Sequence, residues 1–239
     1  MKHQYFADRR DFLKYELLLD LAERHSSPAR LLSILMLTPN DDTAEGSVRT
    51  YEQGSRRREL FDFLRGCLTA GTRRVSLLRG FMQRVGVDYR PYLDNDYFRD
   101  ADRDEYFAMA ATAARDRALV FFDPDIGLET GTLSYMRRNG VEKYLMKADV
   151  SVVARAAPPH AVFVVYQHLQ KDKRRVRADI DVRCRGLCHA VDSSSASFVT
   201  DHDVAFLVTS CSARAAKWAS RAVLSHGRKH GLEFGEVAL

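Results

Sequence analysis

The stretch Ala118-Leu119-Val120-Phe121-Phe122, followed at once by Asp123-Pro124-Asp125-Ile126-Gly127-Leu128-Glu129, decides the fold. Five apolar residues in a row, with no polar alternation, predict a strand buried on both faces, as the strands of a parallel sheet are. Asp123, Pro124 and Asp125 end it, and Gly127 permits an unusual backbone turn just beyond. Two further runs have the same character. Leu31 to Leu37 (LLSILML) stops at Thr38, Pro39, Asn40, Asp41 and Asp42, and His160 to Tyr166 (HAVFVVY) leads into Gln167 and His168.

Between these strands the apolar residues return at three and four positions, the spacing of an amphipathic helix. Asp11 to Glu23 carries Phe12, Leu13, Leu17, Leu18, Leu19 and Leu21, and Arg56 to Leu68 carries Leu60, Phe61, Leu64 and Leu68. Asp102 to Arg115, Tyr144 to Ala156 (closed by Pro158 and Pro159), Leu169 to Arg185 and Ala213 to His226 are likewise expected to be helical. Arg74 to Leu78 (RVSLL), Leu187 to Val191, Ser197 to Thr200 and Val204 to Ser210 read as shorter strands, and Val85 to Tyr97 as irregular. Strands alternating with helices predict a three-layer, doubly wound, Rossmann-like α/β fold with a mostly parallel sheet and helices on both faces. No linker, repeat or low-complexity tract divides residues 1–239, so a single domain is expected.

Composition narrows the class. The 239 residues are 46% hydrophobic and 29% charged, with only 13 Gly and 6 Pro, which argues against disorder or a collagen-like chain. No signal peptide or apolar run of bilayer length is evident, and a cytoplasmic protein is expected. Cys67, Cys184, Cys188 and Cys211 provide one C-x3-C pair but no second pair to complete a zinc site, which fits reduced thiols. Thirty-seven Lys and Arg against 32 Asp and Glu give a net charge of +5, which favours an anionic partner such as RNA or DNA.

In parallel sheets ligands bind beyond the carboxyl ends of the strands. That rule selects Thr38 to Gly46, Asp123 to Glu129, and Gln167 with His168. Three carboxylates on one tight turn repel each other, and a site that needs acceptors offsets that cost: one that holds an amino group, orients a hydroxyl or binds Mg2+ or Mn2+. His168, at the end of a neighbouring strand, is suited to act as a base or a ligand near neutral pH. A solvated loop and a hydrogen-bonded histidine explain the same residues without chemistry. Residues 170–185 contain Lys171, Lys173, Arg174, Arg175, Arg177, Arg183 and Arg185 against Asp172, Asp179 and Asp181, a surface suited to phosphate backbones or simply to water. Arg56, Arg57 and Arg58 form a second cluster. Lys14 in Asp11-Phe12-Leu13-Lys14-Tyr15 is a long cation placed to meet a carboxylate or phosphate.

The element order, the D-F-L-K-Y of Asp11 to Tyr15, the polar loop after the first strand and the F-F-D-P-D of Phe121 to Asp125 resemble a class I, Rossmann-like S-adenosylmethionine-dependent methyltransferase. The nearest type is the group that methylates an adenine amino group in ribosomal RNA, and the chain is also similar to uncharacterised bacterial proteins opening with a K-H-Q-Y-F-like segment. The resemblance implies that Asp123 and Pro124 hold the target amino group, with Asp125 and Ile126 in place of the motif's second Pro and aromatic residue. It places Lys14, Thr38, Asp41 and Gly46 near the cofactor. Gly46 stands alone where such enzymes use closely spaced glycines, and the expected second strand ends at Leu78 and Arg79 without an acid for ribose hydroxyls.

Three readings follow. The first is methyl transfer from S-adenosylmethionine to a nucleic-acid base amino group, with Asp123, Pro124, Asp125 and His168 at the reacting centre and Lys171, Lys173, Arg174, Arg175 and Arg177 on phosphate. The second is a metal-dependent phosphodiesterase or nuclease in which Asp123, Asp125 and His168 hold a divalent cation. The third is a non-catalytic nucleic-acid-binding protein that kept the sheet and lost the cofactor.

Overall fold

The computed structural model describes residues 1–24, 30–41, 57–129, 132–169, 172 and 174–239. The expected strands become β1 (Arg30–Leu35), β3 (Leu119–Asp123) and β6 (Val162–His168), all parallel, with β2 (Asp88–Tyr92) beside β1 at one edge. The sheet then continues through β8 (Val204–Thr209) and β7 (Ser195–Thr200) to β9 (Glu233–Ala238). Here β8 runs antiparallel to both β6 and β7, and β9 antiparallel to β7. The described sheet is therefore mixed but mostly parallel, in the order β2-β1-β3-β6-β8-β7-β9.

Successive side chains on a strand face opposite ways, and both faces are apolar here. Phe121 packs into a core with α1 (Arg9–Arg24), α2 (Arg58–Thr69), α3 (Leu77–Arg84) and α8 (Ala213–His230), and Phe122 into a second core on the other face. That second core is built with α4 (Arg103–Ala114), α6 (Lys147–Ala156) and α7 (Val176–Val191). Both phenylalanines are at most 1% exposed, and each such side chain contributes roughly 2–3 kcal/mol of burial free energy. Helices on both faces of this sheet make the three-layer, Rossmann-like architecture.

Several elements differ from expectation. Arg74 to Leu78 is not a strand: its last residues open α3, and the second strand of the sheet, β2, lies in the stretch expected to be irregular. β2 is an edge strand, where Pro91 and outward-facing charges are tolerated, so the pattern of a buried strand is missing. Leu187 to Val191 continues α7, because a short run rich in apolar residues on the buried face of a helix looks the same as a strand. The helix expected from Tyr144 starts at Lys147. Tyr144–Leu145 is instead β5, which pairs with β4 (Gly127–Leu128) in a small parallel ribbon, and α5 (Leu133–Asn139) lies between them in sequence. No helix among the described residues is long and apolar enough to cross a membrane.

Candidate functional site

Chain connections leave β1 towards β2 on one side and β3 on the other, so the topological switch point lies between the carboxyl ends of β1 and β3. There the register sets Asp123 opposite Leu35, and Tyr166 and His168 continue the same rim on β6. Above this point α1 begins. Asp8 is its N-cap, with Oδ1 accepting from the Asp11 amide at 2.8 Å, and Asp11 Oδ2 accepts from the Ala7 amide at 3.1 Å and the Tyr15 hydroxyl at 3.2 Å. This doubly capped start fixes the helix so that Lys14, one turn further, points into the rim.

The Lys14 ammonium donates to Asp11 Oδ1 at 2.8 Å and to Asp123 at 2.9 and 3.2 Å, and lies 4.7 Å from the centre of the Tyr166 ring. It is 2% exposed. Burial works against its charge, but Asp11 and Asp123 outweigh that and hold Lys14 protonated well above the usual lysine range. Two carboxylates around one ammonium leave an excess negative charge, and burial together with Asp123 raises Asp11. Asp8 is pushed up to about 7, by burial first and the Asp11 charge second.

Next to this cluster Asp125 lies 3.6 Å from the Met1 amino group and 3.7 Å from Lys2 Nζ. Burial opposes its charge, but these two cations prevail and lower its pKa. Its Oδ1 makes no hydrogen bond among the described residues. His168 is held down to about 4 by burial and then by the Arg10 guanidinium, so it is a neutral imidazole at pH 7. Gln167 fixes the turn beneath it: Oε1 accepts from the Leu128 amide at 2.8 Å and the amide nitrogen donates to the His168 carbonyl.

The residues selected from sequence are thus partly brought together. Asp123, Pro124, Asp125, His168 and Lys14 line one recess, joined by Asp8, Arg10, Asp11 and Tyr166. Thr38 lies three residues beyond β1, its amide bonded to the Met1 carbonyl at 2.8 Å. Asp41 does not face the recess as a free acceptor, because Lys2 and the Gln4 side chain bind it. Arg174 and Arg175 precede α7 and pair with Asp172, and Arg177 pairs with Asp181 and Glu233. Gly46, Lys171, Lys173 and Arg56 lie outside the described residues. Sequence reading passed over Asp8 and Arg10 as site residues; the D-x-x-D signal of a capped helix start at Asp8 and Asp11 locates the first of them. It also missed Asp94, a buried carboxylate just past β2, 3.6 Å from Arg79. The second strand is β2, so Asp94, and not Leu78 or Arg79, stands just beyond its end.

Among the described residues this arrangement leaves no room for S-adenosylmethionine. Lys14 is committed to Asp11 and Asp123, and the Met36 and Leu37 carbonyls and the Thr38 amide are taken by Met1 and Phe98. The recess itself has a volume of about 20 Å3, room for about one water molecule. A divalent cation fits no better. Among the described residues no three His, Cys, Asp or Glu side chains gather to hold a metal ion, and the nearby positive charges of Lys14, Lys2 and Arg10 oppose one.

Fold and site define a Rossmann-like α/β protein with a buried, charge-paired centre at its switch point. No protein-family model and no curated protein sequence matches the chain.

Proposed function

We propose that this chain is a methyltransferase-like, non-catalytic nucleic-acid-binding protein in which a network of buried ion pairs occupies the rim where the resemblance implies a cofactor. The observation that supports it is the Lys14 to Asp123 contact at 2.9 Å: the residues assigned to cofactor and target amino group neutralise each other. Taking such charges out of water costs several kcal/mol per ion, and the pairing offsets this without leaving either group free for a ligand.

Two surfaces suit a nucleic acid. Arg174 and Arg175 are exposed, and their solvent-screened pairs with Asp172 are weak enough for phosphate to replace. α5, in the connection leaving β3, exposes Tyr135 beside Arg137 and Arg138, and neither arginine has an ion-pair partner among the described residues. A base stacked on such a ring contributes about 1–3 kcal/mol, and the two guanidiniums match the adjoining phosphates.

The decisive experiment pairs two titrations. Calorimetry with S-adenosylmethionine is expected to show no heat at millimolar ligand, and fluorescence anisotropy with single-stranded RNA is expected to show salt-sensitive binding. The placement of Asp123 and Pro124 at the switch point favours a second reading, methyl transfer to a base amino group. Saturable S-adenosylmethionine binding that is lost in Lys14→Ala establishes that reading and overturns the first. Absence of RNA or single-stranded DNA binding at low salt removes both. A Mn2+-dependent rise in melting temperature, abolished by Asp123→Asn, would instead restore the phosphodiesterase reading.

A further inference from the structure

α8 does not lie flat on the sheet. Near its end it approaches β7 so closely that a Cβ on Gly227 would sit 3.0 Å from Val199 Cγ1. Towards its start the contact opens, because the facing residues are small: Ala213, Ala216 and Ser220 on the helix, Ser195 and Ser197 on β7. The result is a groove of about 500 Å3, within the range of small-molecule sites and far larger than the recess at Asp123.

Its chemistry is amphipathic. The apolar wall is Val208, Leu224 and Phe234. At the lip stand Lys217 and Arg221, one helical turn apart on α8, both exposed and without an ion-pair partner among the described residues. Inside, Ser197 is 4% exposed, and its hydroxyl has no hydrogen-bond partner among the described residues. Glu236, the one acid in the lining, accepts the Ser220 hydroxyl. The groove opens where β7 begins, at the amino rim of the parallel strands, the opposite end of the sheet from Asp123 and His168.

We propose that this groove is a second binding site, for a small phosphate monoester on an apolar or aromatic body. Lys217 and Arg221 take the phosphate, the Ser197 hydroxyl donates to an oxygen deeper in, and Leu224 and Phe234 cover the body. Two cations a turn apart match the doubly charged, multi-oxygen phosphate better than a neutral alcohol, and the apolar wall disfavours a bare inorganic ion.

Calorimetric titration of the full chain with phenyl phosphate tests it, with phenol and inorganic phosphate as controls. Phenyl phosphate is expected to bind more tightly than either control, and Lys217→Ala with Arg221→Ala is expected to weaken it by about tenfold or more, as loss of charge-assisted contacts does. Both residues are exposed, so the melting temperature of that variant should be unchanged, and Ser197→Leu, which fills the groove, should abolish binding independently. Equal affinity for phenyl phosphate in the wild type and the double variant overturns the proposal, as does absence of binding at millimolar ligand. Arg174→Ala, on the other rim, should leave this titration unaltered, which separates its outcome from that of the nucleic-acid reading.

Discussion

Lys14 and Asp123 are 109 residues apart and meet at 2.9 Å inside the protein, tying the first helix to the switch point of the sheet. Because the ammonium is shared with Asp11, removing it leaves two buried carboxylates facing each other. Lys14→Met is therefore expected to destabilise the fold by about 3–5 kcal/mol. Asp123→Asn in the same background should recover part of that loss. A denaturant double-mutant cycle with no coupling between the two positions would refute the network.

Asp8 and His168 oppose each other in pH dependence. His168 falls from its ordinary 6.5 to about 4 in the folded protein, so between pH 4 and 6.5 the unfolded chain binds more protons and stability rises with pH. Asp8 rises from 3.8 to about 7, so between pH 4 and 7 the folded protein binds more protons and stability falls as pH rises. Asp8→Asn keeps the helix cap and removes the second effect. Its stability should rise more steeply from pH 4 to 6.5 than that of the wild type, by about 1 kcal/mol or more, and His168→Gln should change the slope the other way. Parallel curves for the three proteins would contradict this assignment.

Gly127 has φ +136°, and a Cβ there would fall 2.4 Å from the Gln167 carboxamide that holds the Leu128 amide. Gly127→Ala is expected to cost about 1–3 kcal/mol and to displace Gln167. Chemical shifts of the His168 ring should move with it, while Gly80→Ala, in open space on α3, should perturb neither stability at that scale nor the ring.

The α5 surface carries its own test. Arg137→Ala with Arg138→Ala should weaken single-stranded RNA binding and flatten the log-affinity against log-salt slope by about 1.4, the release expected for two phosphate contacts. Tyr135→Ala should weaken binding with little change in slope, because stacking is not ionic. An unchanged slope in the arginine variant would move the interface elsewhere.

The parallel centre of the fold was legible because Leu31 to Leu37, Ala118 to Phe122 and His160 to Tyr166 are buried on both faces and advertise it as apolar runs. The edges were not. β2 and β9 have one solvated side, so Asp88-Tyr89-Arg90-Pro91-Tyr92 and Glu233-Phe234-Gly235-Glu236-Val237-Ala238 carry polar residues that read as loop. At the site, the strand-end rule located Asp123 and His168. It said nothing of what Lys14 would do, because a cation chooses its partner in three dimensions: free, it suits a ligand, but α1 aims it at Asp123.

The reversed strand β8 also has a consequence for how the chain finds its structure. β7 and β8 join through Asp201-His202-Asp203, a turn braced by Asp201 Oδ1 on the Val204 amide at 2.9 Å and by the Thr200 hydroxyl on the Val204 carbonyl at 2.7 Å. This hairpin closes locally, whereas β1, β3 and β6 must each await a long crossover, so it is the natural early-forming unit on which the slower parallel pairings assemble.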